Sequence, residues 1–336
     1  MKKTQFVIGI DVSKKTLDLC LLAVAGPSDP TYLQVANNPA GHLKILKWLG
    51  KCGVRPQEAL FLLEHTGMYS LAACLFLEGQ SLGYCLISGL ALKRSLGICR
   101  GKDDRKDAHS IARYGYLHRE QLKPSPVKED RVAMLQLLFG QRRRMVTALK
   151  SLQTVVKEAA GMGLREQAAS LEESQAGAVA ALKEGIKALE KKMLALIEGD
   201  GRMAAQYRLC TSVPGVGTQL ATYLLVVTHS FTRFADSRSL ASFGGVAPFP
   251  YRSGTSIRGK TRTSPLADKQ LKSLLHMGSL NAVRCDSQLK TYYERKKAEG
   301  KNAMLVLNAV RNKMLARIMA TVKRETPYVQ LDKHKL

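Results

Sequence analysis

Four carboxylates stand where phosphoryl-transfer chemistry would need them. Asp11 closes the apolar run Phe6-Val7-Ile8-Gly9-Ile10, and Glu64 closes Leu60-Phe61-Leu62-Leu63. Asp104 and Asp107 lie three residues apart at the start of a segment that continues through Ala108, Ile111 and Ala112. A strand buried on both faces has little tolerance for a terminal acid without a use, and residues i and i+3 of a helix share one face. Four such carboxylates form a hard oxygen site for Mg2+, with Mn2+ able to substitute. One or two metals there would stabilise the attacking and leaving oxygens of a phosphoryl transfer, and without a cation the set would repel too strongly to stay ionised. Asp103, just ahead of the helix, is the expected N-cap.

A second chemical stretch lies far downstream, at Tyr251-Arg252-Ser253-Gly254-Thr255-Ser256-Ile257-Arg258-Gly259-Lys260. Arg252, Arg258 and Lys260, with Arg262 just beyond, can neutralise phosphate oxygens, and two glycines allow a close backbone approach. Ser253, Thr255 or Ser256 could serve as a nucleophile. No histidine stands near them in sequence to act as a base, and the stretch reads as a loop.

The first carboxylates need strands to hold them. Phe6–Asp11, Thr16–Leu22 and Tyr32–Ala36 read as strands, the second an antiparallel hairpin partner of the first. A helix around Leu43–Leu49, a strand over Leu60–Glu64 with a Thr66-Gly67 turn, and a helix from Tyr69 to Glu78 follow. Next come a short strand Tyr84–Ile87 and a helical segment from Leu90, before the helix of Asp104 and Asp107. Three strands, then helix, strand, helix, strand, helix, with acids ending the first and fourth strands, is the order of a ribonuclease H-like domain.

Composition narrows the partners. The 336 residues carry 52 Lys+Arg against 27 Asp+Glu, a formal charge of +25, while 45% of residues are hydrophobic. Such a chain has enough apolar residues for two or three cores, and its charge favours a polyanion, nucleic acid above all. No apolar run is long enough to span a bilayer and no signal peptide opens the chain, so a cytoplasmic, nucleoid-associated protein without a membrane partner is expected. The seven cysteines form no C-x-x-C pair and read as reduced core residues.

Pro124 and Pro126 end the first module. Val132, Leu135, Phe139, Val146, Leu149 and Val156 then repeat at heptad spacing, as do Val179, Leu182, Ile186, Leu189, Met193 and Leu196 beyond the turn at Gly161-Met162-Gly163. This predicts two long antiparallel helices, a coiled-coil arm for assembly or an intramolecular stack. Arg142-Arg143-Arg144 offers a phosphate contact or a solvated face. After Gly199-Asp200-Gly201, the turn Val213-Pro214-Gly215-Val216-Gly217 resembles a helix-hairpin-helix, in which Pro214, Gly215 and Gly217 would bring backbone amides to a nucleic-acid phosphate. From Tyr251 to Lys323 there are 16 Lys+Arg and 4 Asp+Glu, the densest basic stretch of the chain. His276, between Leu275 and Met277, reads as packed in its helix rather than as a general base.

The Asp11 strand, Glu64-x-Thr66-Gly67, Asp104-x-x-Asp107-Ala108, Val213-Pro214-Gly215-Val216-Gly217 and Ser253-Gly254-x-Ser256-x-Arg258-Gly259, in this order over essentially the whole chain, resemble the DEDD recombinases of the insertion-sequence 110 family, which includes the Piv-type invertases. The resemblance implies a RuvC-like domain, a coiled-coil arm and a mainly helical transposase domain, placed here at residues 1–123, 124–200 and 201–336. It implies that Asp11, Glu64, Asp104 and Asp107 bind metal and that Ser253 is the catalytic serine. It also implies a dimer or tetramer that recombines donor and target DNA under the guidance of a bridge RNA, through a phosphoserine intermediate. His65 departs from the small residue expected there. A RuvC-like junction nuclease using the same acids with water is the rival reading.

Overall fold

The computed structural model describes residues 4–25, 29–64, 68–87, 89–96, 103–122, 124–125, 130–253, 257–264 and 267–330. The Thr66-Gly67 turn, His65, Thr255 and Ser256 lie outside the described residues. The chain divides into two compact units, Met1–Val127 and Lys128–Leu336.

The first unit is built on a five-stranded sheet of β1 (Phe6–Val12), β2 (Thr16–Ala23), β3 (Thr31–Ala36), β4 (Ala59–Glu64) and β5 (Tyr84–Ile87), in the order β3-β2-β1-β4-β5. β1 pairs antiparallel with β2 and parallel with β4, β2 pairs antiparallel with β3, and β4 pairs parallel with β5. An antiparallel meander joined to two parallel strands through helical crossovers is the ribonuclease H-like arrangement, as the element order predicts. Helices α1 (Pro39–Lys51) and α2 (Met68–Gly79) follow β3 and β4; Ile45, Leu49, Ala73 and Cys74 join Ile8, Ile10, Phe61 and Leu63 in one buried core. The short helix α3 (Gly89–Leu96) follows β5 and precedes α4 (Asp104–His118).

The opposite face of the sheet receives α4. Ala108 and Ala112 are fully buried against Cys20, and Ile111 packs with Val7, Leu62 and Cys85. Gly9 makes this approach possible, because a Cβ built there would lie 2.2 Å from the Ala112 amide nitrogen and 2.3 Å from the Ala108 carbonyl oxygen. Since alternate residues of a strand share a face, Asp11 lies on the same side as Gly9, under the first turn of α4. The missing side chain two residues before the acid is thus what lets the helix of Asp104 and Asp107 reach it.

The second unit opens with α5 (Asp130–Gly161) and α6 (Arg165–Glu198), a helical hairpin closed by the glycine-bearing turn. α6 starts well before the apolar repeat at Val179, because the segment between Arg165 and Ala178 is rich in Ala, Glu and Gln, strong helix formers without a heptad stripe. The base of the hairpin is part of a larger core: Val132, Leu135, Phe139, Met193 and Ile197 are buried with Met203, Leu225 and Val226. Arg142 Nε pairs with Glu190 Oε1 at 2.7 Å, and Gln219 Nε2 donates to the same oxygen at 3.0 Å. Farther out, Leu149, Val156, Val179 and Ile186 are only half-buried, since two helices alone cannot cover an apolar stripe on every side.

Helices α7 (Gly201–Thr211), α8 (Thr218–Thr228), α9 (Ser237–Phe243), α10 (Lys269–Cys285), α11 (Ser287–Ala298) and α12 (Ala303–Lys323) complete this unit. Their core gathers Val213, Leu220, Leu224, Leu240, Leu275, Val310, Met314 and Ile318. The stretch around Ser253, read above as a loop, is a two-stranded antiparallel hairpin of β6 (Pro248–Ser253) and β7 (Ile257–Thr263), with a register shift between Phe249 and Tyr251. Its many hydroxyls and glycines resemble loop composition, but Tyr, Ile and Thr favour a strand. No helix among the described residues is long and apolar enough to cross a membrane.

Candidate active site

Asp11, Asp104 and Asp107 converge: one carboxylate oxygen from each lies within 4.8 Å of the other two. Asp11 and Asp107 are half-buried and Asp104 is exposed. Asp103 caps α4, its Oδ1 accepting from the Arg105 amide at 3.1 Å, as its position before the helix predicts. The two helix acids occupy the first turn, where the positive end of the helix dipole favours them.

Glu64 ends β4 on the same face, next along the parallel register after Ile10 and Leu63, but it is not part of the three-oxygen cluster. Gly89, at the start of α3, leaves room for it; a Cβ there would fall 2.1 Å from Glu64 Oε1. Burial raises the Asp11 pKa to about 6, with further contributions from the negative charges of Asp107, Asp104 and Glu64. Asp11 therefore feels the charge of the other three acids called from the sequence, two of which bring a carboxylate oxygen within 4.8 Å of its own.

The donor set suits a divalent cation. It is entirely carboxylate oxygen, and its cost in repulsion and desolvation is what a bound cation offsets. Asp11 has a folded pKa above its unfolded value, so its stability contribution is complete below pH ~4 and lost as pH rises through about 6. A two-unit shift corresponds to about 3 kcal/mol, reduced to about 1–2 kcal/mol by solvent screening at this half-exposed group. At pH 7.5 in chelator, Asp11→Asn should therefore melt a few degrees above wild type, and Mg2+ or Mn2+ should raise the melting temperature of wild type but not of the variant. Identical wild-type melting in chelator and in metal would remove the metal site.

One acid escaped the sequence reading. Asp18 stands directly opposite Asp11 in the β1–β2 register and is 8% exposed, with Gln34 Nε2 donating to its Oδ1 at 2.8 Å. The signal was available in the hairpin itself, where Asp11 and Asp18 are mirrored about the turn, but placing them face to face requires the register.

In the second unit, β6 ends at Ser253, which faces Ile257, and Arg252 stands directly across from Arg258. Lys260 and Arg262 follow on β7. Ahead of β6, Asn308 Nδ2 donates to the Val246 carbonyl at 2.9 Å. Asp268, just beyond β7, accepts from the Tyr223 hydroxyl at 3.0 Å and caps α10 through the Leu271 amide at 2.6 Å.

The turn between α7 and α8 has Gly215 at φ +87° and packed tightly, since a Cβ there would meet the Gly278 carbonyl at 2.5 Å. That glycine serves the packing of α10, whereas Gly217 at the N-cap of α8 is exposed. Pro214 is half-buried. His276 is engaged as expected from its helical setting, its Nδ1 accepting from an Arg311 amine at 2.8 Å.

Residues 8–159 match a transposase family profile of the DEDD, IS110 type, and residues 207–294 match that of the transposase IS116/IS110/IS902 family. The pilin gene-inverting protein of Moraxella lacunata is 25% identical over 337 residues, covering 98% of this chain and 98% of its own length. An uncharacterized 43.6 kDa protein of insertion element IS110 from Streptomyces coelicolor is 32% identical over 155 residues, covering 46% of this chain and 37% of its own. The solved Thermus thermophilus RuvC in complex with a Holliday junction substrate overlaps 36% of this chain and 99% of its own at 14% identity, with a TM-score of 0.27. At that score the overlap carries no weight beside the strand order.

Proposed function

The chain belongs to the IS110 family of DEDD transposases, and from that premise we propose that it is an RNA-guided DNA recombinase that moves its own insertion element by cutting and rejoining donor and target DNA. The observation that carries the reading is the convergence of Asp11, Asp104 and Asp107 beneath the first turn of α4, with Glu64 beside them. Mg2+ held by these residues would supply Lewis-acid polarisation of a phosphate oxygen.

The chain's own residues divide the remaining work. Asp11, Glu64, Asp104 and Asp107 would hold the metal, the three aspartates with oxygens within 4.8 Å of one another and Glu64 adjoining them from β4. Ser253 is the nucleophile, conserving the energy of the broken phosphodiester in a phosphoserine link. Arg252, Arg258, Lys260 and Arg262 neutralise backbone phosphates, a role supported by the facing positions of Arg252 and Arg258 on the hairpin. Pro214, Gly215 and Gly217 shape the turn that brings the α8 amides to phosphate, Gly215 by packing and Gly217 by exposure.

In this reading residues 1–123 hold metal, 124–200 form the arm and 201–336 carry the serine and the basic surface. The half-buried stripe of the outer arm, at Leu149, Val156, Val179 and Ile186, supports assembly into a dimer or tetramer. The excess of Lys and Arg between Tyr251 and Lys323 supports a second polyanion besides DNA, namely a structured guide RNA.

The test is to purify the chain after expression with its flanking element sequence, then recover and sequence any bound RNA. A single structured RNA with segments complementary to both donor and target DNA is the expected result, and changing those segments should redirect recombination. Recombination at an unchanged target after the RNA is removed or altered would discard the guided mechanism while leaving the DEDD chemistry in place.

A further inference from the structure

A cleft of about 840 Å3 adjoins the acid cluster, between the edge strand β3, its neighbour β2 and the start of α4. Asp18, Tyr32, Gln34, Asp104, Arg105 and Lys106 line it, so Asp104 of the acid cluster is also part of its wall. The strand register explains the grouping: Cys20 faces Tyr32 and Asp18 faces Gln34 across β2 and β3, on the side of the sheet that carries Asp11.

Two features of this cleft call for a ligand. The Arg105 guanidinium lies 4.1 Å from the centre of the Tyr32 ring, and the Tyr32 side chain is held from behind by a hydrogen bond with Cys20. Burial raises the Cys20 pKa to about 11, so that support is a neutral thiol. An aromatic face clasped by a guanidinium is a platform for a flat, electron-rich group.

The other feature is Asp18. This carboxylate is 8% exposed, and its only hydrogen bond among the described residues comes from Gln34 Nε2. The carboxylate lines the cleft beside the exposed Gln34 side chain, so its second oxygen is open to a donor that enters there. Since a carboxylate can only accept, the amide's NH2 faces it, which leaves Gln34 Oε1 and the second Asp18 oxygen as free acceptors. Acceptors beside a negative charge repel phosphate and attract paired N–H donors.

We propose that this cleft is a nucleobase subsite that takes an unpaired guanine of the DNA strand next to the scissile phosphate. The guanine ring stacks on Tyr32 and Arg105, its N1–H and N2–H donate to Asp18 and Gln34, and Lys106 takes the flanking phosphate. Guanine fits because, of the DNA bases, it alone offers two adjacent donors on its Watson–Crick edge. That edge must be unpaired to be read, as when an enzyme holds a nucleotide out of its duplex. The proposal rests on the reading of the acids as the cleavage site, and its first test does not need turnover.

Full-length protein is bound, in Ca2+ without turnover, to DNA carrying photoreactive 6-thioguanine at successive positions around the cleavage point, and the adduct is mapped by peptide mass. A crosslink to the Tyr32 peptide from one position is expected, lost in Tyr32→Ala and kept in Tyr32→Phe. In cleavage assays, replacing guanine at that position by inosine, which lacks the N2 amine, should slow wild type about tenfold, the loss of one hydrogen bond to a carboxylate. Asp18→Asn and Gln34→Ala should erase the difference between guanine and inosine, a readout that a purely structural role would not move. No crosslink at Tyr32, a crosslink only when the thioguanine is in RNA, or a guanine preference unchanged in Asp18→Asn would overturn the subsite. Loss of all cleavage in wild type with the crosslink intact would count against the catalytic reading and leave the subsite standing.

Discussion

Asp11→Asn and Asp107→Asn should each cut the rate of DNA strand cleavage by about a thousandfold or more, while the affinity for DNA falls by less than about threefold. Lewis-acid stabilisation of a phosphoryl-transfer transition state contributes several kcal/mol, and each ~1.4 kcal/mol is a factor of ten in rate. Asp11 and Asp107 are the half-buried members of the three-oxygen cluster, so an amide there removes both a ligand and the local charge that attracts a cation. Binding should survive because the positive charge that attracts nucleic acid is concentrated between Tyr251 and Lys323, far along the chain.

The same experiment separates ligation from simple charge. Glu64 influences Asp11 but is outside the cluster, so Glu64→Gln should cost less than either aspartate substitution, and raised Mn2+ should recover part of its loss. The measurement is single-turnover cleavage of end-labelled DNA in Mg2+, with affinity read separately in Ca2+. Full cleavage by Asp11→Asn, or full wild-type cleavage in excess chelator, would reject the metal site.

The sheet is legible because β1, β4 and β5 are nearly continuous apolar runs; Asp11 and Glu64 stand out as acids that close two of them, and Asp104 and Asp107 by their i, i+3 spacing at a helix start. Asp11 is visible as an acid at the end of Phe6–Ile10; its meeting with α4 also depends on Gly9, whose importance is only clear once the helix backbone lies on it. Asp18 was read as an unremarkable member of a hairpin strand. Its place across from Asp11 is a matter of register, which a slip of one residue would have reversed.

In the second unit, the heptads announced two long helices but not their partners. Whether Val132 and Leu135 face α8 or another chain is decided by tertiary packing, and the core with Leu225 and Val226 settles it for the base of the arm alone. The hairpin of β6 and β7 has the composition of a loop because its residues serve two demands at once. Hydroxyls and glycines suited to phosphate are also turn formers, and the pairing of β6 with β7, from Pro248 opposite Thr263 to Ser253 opposite Ile257, is what distinguishes a strand.

Wild-type protein should form a covalent protein–DNA adduct during cleavage, and Ser253→Ala should abolish it. A serine hydroxyl is a weak nucleophile at its ordinary pKa and needs a screened phosphate and a group that assists loss of its proton. No histidine lies near it in sequence, and His276 is engaged by Arg311, so that assistance is not expected from an imidazole. Attack of Ser253 Oγ on phosphorus would form an ester and release the deoxyribose hydroxyl. Reversal with a different strand's hydroxyl would rejoin DNA without an external energy source. Placement at the last residue of β6 gives the serine a defined backbone on one side, beside the facing Arg252 and Arg258 positions. The reaction is trapped under denaturing conditions on labelled DNA and the adduct located by peptide mass. Wild type should yield one DNA-linked peptide containing Ser253, Ser253→Ala none, and Ser253→Cys a reduced but detectable amount. If Ser253→Ala still forms the adduct, the nucleophile is another residue, with Tyr251 and Ser256 the nearest alternatives. If wild type cleaves without an adduct at any time point, water is the nucleophile and the acids serve a nuclease of the RuvC type.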